Sequence, residues 1–160
     1  MSVDPAVLGR HEIATSEAME SLGAHIGQQL AAGDLLVLTG PLGAGKTTFT
    51  RGLAAGLGVR GPVQSPTFVI ARTHPSLVGG APLVHVDAYR LGSAAELDDL
   101  DIDFAGSVVV IEWGRGMASA VADSWWDVEI ARPVGGAEGL ADEDLDADAP
   151  RFVTIERAEA

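Results

Sequence analysis

The chain has 160 residues, is 47% hydrophobic and has a mean hydropathy of +0.22, enough for a real core and too apolar for intrinsic disorder. It contains no Cys, which excludes disulfides, thiolate-ligated zinc and cysteine nucleophiles. Ten basic residues against 23 acidic leave a net charge of −13, a surface that repels nucleic acid.

MSVDPAVLGRHEIATSE carries charges where a signal peptide needs an apolar centre, and no apolar run approaches the roughly 20 residues of a membrane span. Both features predict a cytoplasmic protein that does not meet the membrane. Residues 10–15 (RHEIAT) read as a short edge strand. Thr15 or Ser16 then caps a helix with Glu17 and Glu20 near its start, and Met19, Leu22, Ile26 and Leu30 form its apolar stripe. Gly33-Asp34 is expected to close this segment.

Leu35-Leu36-Val37-Leu38 has the makeup of a buried strand. Gly40-Pro-Leu-Gly43-Ala44-Gly45-Lys46-Thr47 follows as a complete G-x-x-x-x-G-K-[ST] loop. After it Phe49, Leu53 and Leu57 recur every four residues on one helical face, which Gly56 or Gly58 can end. Strand, loop and helix together give the motif its physical context. Glycines let the backbone approach a ligand, the N–H groups of Gly43, Ala44, Gly45, Lys46, Thr47 and Thr48 make an anion site, and the Lys46 charge reaches β- and γ-phosphates. The Thr47 hydroxyl is the expected Mg2+ ligand.

Ser65-Pro66-Thr67-Phe68 enters a strand expected over 67–72, and 73–82 is turn chemistry. Leu83 to Asp87 is a further strand, able to pair antiparallel with the previous one. Ser93-Ala-Ala-Glu96 is a capping box opening a short helix to about Leu100. Ser107 to Ile111 is an apolar run suited to a central strand. Trp126, Val128 and Ile130 alternate with more polar residues, and Arg151 to Arg157 reads as a last strand. Between these two, about 133–150 reads as a flexible loop, with six acids from Glu138 to Asp148; without them the charge is still −7. The pattern predicts one three-layer α/β domain over 1–160, its central sheet mainly parallel with additional antiparallel strands.

Ligands in such sheets lie beyond the carboxyl ends of the strands. Two strands end there in acids, Asp87 and Glu112. Glu112 follows the more apolar strand and is the expected metal-side acid, with Asp87 the base or water-positioning group. Thr67 either senses the γ-phosphate or is an ordinary strand entrance, and Trp113 covers the site, forms part of a docking surface or packs in the core. Arg90 suits an ion pair better than a phosphate contact. The His residues at 11, 25, 74 and 85 lack metal-ligand spacing and read as incidental.

GPLGAGKTTFTRGL, SPTF, HVDAYRL and VIEWG, in this order and spacing, resemble the bacterial TsaE (YjeE) family of small ATPases in the tRNA threonylcarbamoyladenosine pathway. The resemblance runs from about Glu12 to Trp113. It implies a P-loop NTPase fold that binds ATP and Mg2+, hydrolyses ATP slowly to ADP, and acts with TsaB and TsaD, which carry out the transfer to tRNA. It further implies that Lys46 contacts phosphates, Thr47 and Glu112 hold Mg2+, Asp87 serves hydrolysis and Thr67 lies in a switch loop. Asp101 departs from the family, which usually has Gly there. Contact with tRNA through partners fits the acidic surface.

Competing functions fit less well. A small-molecule kinase needs an arginine-bearing lid, and 133–150 contains no arginine. A GTPase usually carries N-K-x-D, and an ABC ATPase its signature segment; neither is present. A scaffold that holds ATP without hydrolysis remains the other reading.

Overall fold

The computed structural model describes residues 7–41, 45–63, 70–89, 91–131 and 150–160. Seven strands form one sheet: β1 (Gly9–Ile13), β2 (Leu35–Thr39), β3 (Ala71–His74), β4 (Leu83–Asp87), β5 (Val108–Glu112), β6 (Ser124–Ala131) and β7 (Arg151–Glu159). Three helices accompany them: α1 (Ser16–Gly27), α2 (Lys46–Leu57) and α3 (Ala94–Asp98). The strand order is β1-β7-β6-β2-β5-β4-β3. The middle four, β6, β2, β5 and β4, run parallel, while β7 and β3 are antiparallel to their neighbours.

Burial explains why the middle strands form where they do. Every residue of β4 and β5 is buried, as are Leu35 to Leu38 of β2, so alternate side chains feed two separate cores. Leu36, Leu38, Val108 and Val110 pack beneath α1 and α2 with Met19, Ile26, Phe49 and Leu53. Leu35, Val37, Val109 and Ile111 pack on the other face with Leu97 of α3 and Ala118. These are the three layers expected. Complete burial of each large apolar side chain contributes about 1.5–3 kcal/mol, so both cores hold the sheet.

α1 and α2 meet at unusually short range. A Cβ on Gly52 would stand 2.0 Å from the Glu20 carbonyl oxygen, and one on Gly23 2.2 Å from that of Phe49. Gly27 and Gly56 face the partner backbone in the same way, so each helix contributes a G-x-x-x-G face. Thr15 caps α1, its side chain accepting from the Ala18 N–H at 3.0 Å. Gly58, at φ 81°, caps α2, and the capping box of Ser93 and Glu96 opens α3.

Three expectations are revised. α1 ends at Gly27, before Gly33-Asp34, although Leu30 is still buried in the core. Of the strand expected over 67–72, residues 67–69 lie outside the described residues; the described strand is Ala71–His74, paired with β4 as anticipated. His74 is drawn in by burial and by a 2.9 Å ring contact to the Arg60 carbonyl, which holds a segment of turn-like composition extended. The predicted helix near Leu100 stops at Asp98. Residues 132–149, which include nearly all of the expected flexible loop, lie outside the described residues. Because β6 runs parallel to β2, with Thr39 opposite Glu129, Ala131 emerges at the same sheet edge as the end of β2. Among the described residues, no helix is long and apolar enough to cross a membrane.

Candidate nucleotide site

The site is assembled at the carboxyl ends of β2, β5 and β4, which are adjacent in the sheet. β2 ends at Thr39 and leads through Gly40 into the phosphate loop; Gly45, at φ 111°, caps α2, a conformation that favours glycine. Lys46 is the first residue of α2, and Thr47 and Thr48 follow in its first turn, half-buried. The positive end of the helix therefore coincides with the lysine. Gly43, Ala44 and Thr67, together with Arg90, lie outside the described residues.

Lys46 is 7% exposed, and its Nζ donates to the Gly40 carbonyl of its own loop. The Trp113 ring lies 4.1 Å from the ammonium, a cation–π contact. Trp113 reaches it from a left-handed backbone, φ 64°, with its N–H bonded to the Leu38 carbonyl at 3.1 Å. Tyr89, 72% exposed, meets the same ring edge-on at 5.6 Å. Of the placements considered for Trp113, the ring takes the one beside Lys46. Burial pushes the Lys46 ammonium below its ordinary range, opposed by the charges of Glu112 and Asp87.

Those two acids stand directly opposite one another. Asp87 of β4 and Glu112 of β5 are register partners, 6% and 5% exposed. Asp87 Oδ1 accepts from the Tyr89 N–H at 2.9 Å, which turns the chain tightly after β4. The Ala88 N–H donates to the Glu112 carbonyl at 2.9 Å, continuing the ladder past both acids. Thus Lys46, Asp87 and Glu112, separated widely in sequence, converge as expected.

Sequence reasoning missed His85. It is fully buried, and its Nε2 lies 2.5 Å from Glu112 Oε2. The available signal was strand alternation: two residues before Asp87, His85 must share its face. His11, His25 and His74 have no contact with these acids; His11 bonds the Val7 carbonyl at 2.7 Å. Among the described residues, no three His, Cys, Asp or Glu side chains form a cluster able to hold a metal alone.

The family model described as "Threonylcarbamoyl adenosine biosynthesis protein TsaE" matches residues 13–136. The chain belongs to the TsaE family. It is 52% identical over 140 residues to the TsaE protein of Streptomyces coelicolor, covering 86% of this chain and 88% of that one. It is 50% identical over 121 residues to TsaE of Mycobacterium tuberculosis, covering 70% and 72%. These relatives bear the name tRNA threonylcarbamoyladenosine biosynthesis protein. The crystal structure of YdiB from Bacillus subtilis superposes with a TM-score of 0.68 at 29% identity, covering 94% of this chain and 85% of that one. The TsaE match extends beyond Gly114, where the last of the sequence motifs ends, so β6 belongs to the shared region as well. Asp101 adopts φ 54°, a conformation for which a glycine is suited.

Proposed function

We propose that this TsaE protein binds ATP with Mg2+ and hydrolyses it slowly to ADP. In this reading the work is done as one domain over 1–160, in support of a TsaB–TsaD complex that forms threonylcarbamoyladenosine in tRNA. The observation that carries the reading is the convergence of Lys46, at the start of α2, with two buried carboxylates in register on adjacent parallel strands. Phosphoryl transfer needs this division of labour: cations to hold the phosphates, and acids for the metal and the attacking water.

The donor set suits Mg2+. Two buried carboxylates face one ammonium, so phosphates entering this site need a further compensating charge. Mg2+ is commonly held by one or two protein oxygens together with phosphates and water, which fits Thr47 and Glu112 better than a closed protein cage. When bound, Mg2+ neutralises charge on the β- and γ-phosphate oxygens. Lys46 leaves the Gly40 carbonyl to contact the phosphates, and their charge favours its protonated form. The loop N–H groups from Gly43 to Thr48 cradle the same oxygens. Asp87 orients the attacking water and accepts its proton. Thr67 senses the γ-phosphate, so the nucleotide state is transmitted to the partner surface through that loop. A charge of −13 favours approach to tRNA through partners rather than directly.

The test is ATP hydrolysis by the purified chain alone and with a TsaB–TsaD complex, for the wild type and Asp87→Asn. We expect little activity alone and a clear rise with partners. Asp87→Asn should lower that rate by about 100-fold or more, the scale for a charge acting on the transition state. Lys46→Ala should weaken nucleotide binding. ATP binding without hydrolysis under any condition would replace the ATPase reading by a nucleotide-holding scaffold.

A further inference from the structure

His85 is the one buried imidazole that touches the candidate site, and nothing above gives it a function. Its ring is wholly removed from solvent, between Val84 and Val86 in sequence and opposite Val110 on β5. Its Nδ1 is buried without a hydrogen-bond partner among the described residues, so half of its polar capacity is unused. Such a group destabilises the fold relative to a well-packed apolar side chain. Packing alone would therefore favour leucine at this position. The return comes from Nε2, which meets Glu112 Oε2 at 2.5 Å.

We propose that His85 is a positioning residue for Glu112: its Nε2–H holds one carboxylate oxygen so that the other faces the Mg2+ accompanying ATP. The inference rests on the assignment of Glu112 to Mg2+ made above. Glu112 Oε1 accepts no hydrogen bond among the described residues, whereas Oε2 is occupied by the imidazole. An unsupported glutamate has three side-chain torsions to order when it binds a metal. A fixed partner removes that freedom beforehand, and loss of such a partner typically lowers metal affinity by about 10–100-fold. His85 and Asp87 lie on one face of β4, so the same strand supplies the support for one acid and presents the other. Lys46 acts on Glu112 through charge, while His85 acts through direction.

Three variants test this: His85→Leu, which fills the volume without a donor, His85→Gln, whose amide places an N–H near the position of Nε2, and Glu112→Gln. ADP affinity is measured in EDTA and across a Mg2+ titration, alongside thermal melting and the Mg2+ requirement of hydrolysis. We expect His85→Leu to fold and to bind ADP in EDTA like the wild type, with the Mg2+ needed for half-maximal effect raised about tenfold. His85→Gln should recover most of that shift. Equal Mg2+ dependence in His85→Leu and the wild type, with Glu112→Gln impaired, overturns the role of His85 and leaves the Glu112 assignment standing. Unchanged Mg2+ dependence in Glu112→Gln overturns both. If His85→Leu does not fold, His85→Asn replaces it, since its shorter amide stops short of Oε2. Asn and Gln variants with the same Mg2+ dependence would then refute the proposal.

Discussion

Lys46 is the only lysine in the chain, and all other cationic side chains apart from the histidines are arginines. Its protonation is therefore observable without overlap. With the ammonium held below its ordinary 10.5 by burial, the unfolded chain binds more protons than the folded one between the lowered value and 10.5. Across that window this group makes stability rise with pH. Isotope-labelled lysine should give a single side-chain NMR signal titrating below 10.5 in the nucleotide-free protein. Lys46→Met should abolish the associated rise in the urea midpoint; a wild-type midpoint at or above 10.5 would contradict the burial argument. Asp101 offers a second test at this scale. A non-glycine residue at φ 54° is strained, and Asp101→Gly should raise stability by about 0.5–1 kcal/mol, read from denaturant melts. Lys46, Asp87 and Glu112, the residues proposed to serve the phosphates and their metal, were legible in sequence because the spacing of such residues is dictated by chemistry. His85 was not, because an isolated histidine shows its purpose only when a strand from elsewhere brings Glu112 beside it.

The elements follow the same division. β2 and β5 were legible as continuous apolar runs, since both of their faces are covered. The end of β3 was misjudged, at 72 instead of His74, because an edge strand of four, two of them exposed, has almost no hydrophobic pattern. The close contact of α1 with α2 was also hidden: G-x-x-x-G in either helix reads as weak helical propensity until the two are set face to face. That contact makes a sharp prediction. Gly52→Ala improves intrinsic helix propensity by up to about 1 kcal/mol, yet its Cβ would enter the Glu20 carbonyl at 2.0 Å. Overpacking against backbone should dominate and leave a net destabilisation of about 1–3 kcal/mol. Thermal melting should show a loss of several degrees; an unchanged melt would mean the helices separate freely. Because Lys46 begins α2, the same substitution should weaken ADP binding.

The whole molecule is a parallel centre flanked by antiparallel margins, and the candidate site lies at the carboxyl ends of that centre. β4 and β5 supply the two acids and α2, which follows β2, supplies Lys46, while β6, β7 and β1 extend the sheet away from them. The four motifs accordingly end at Gly114, and alternation alone marked the strands beyond. The net charge has a kinetic consequence. The chain carries −13, with six of its acids between Glu138 and Asp148. Under the proposed function, an incoming ATP therefore approaches against a field of its own sign. Added salt shortens the range of that field, from about 30 Å at 0.01 M to about 8 Å at 0.15 M. Stopped-flow association of ATP should accelerate as ionic strength rises, and deletion of residues 138–148 should flatten the dependence. Nucleotide capture would then be paced by the ions of the surrounding solution as well as by the glycine-rich loop proposed to hold the phosphates.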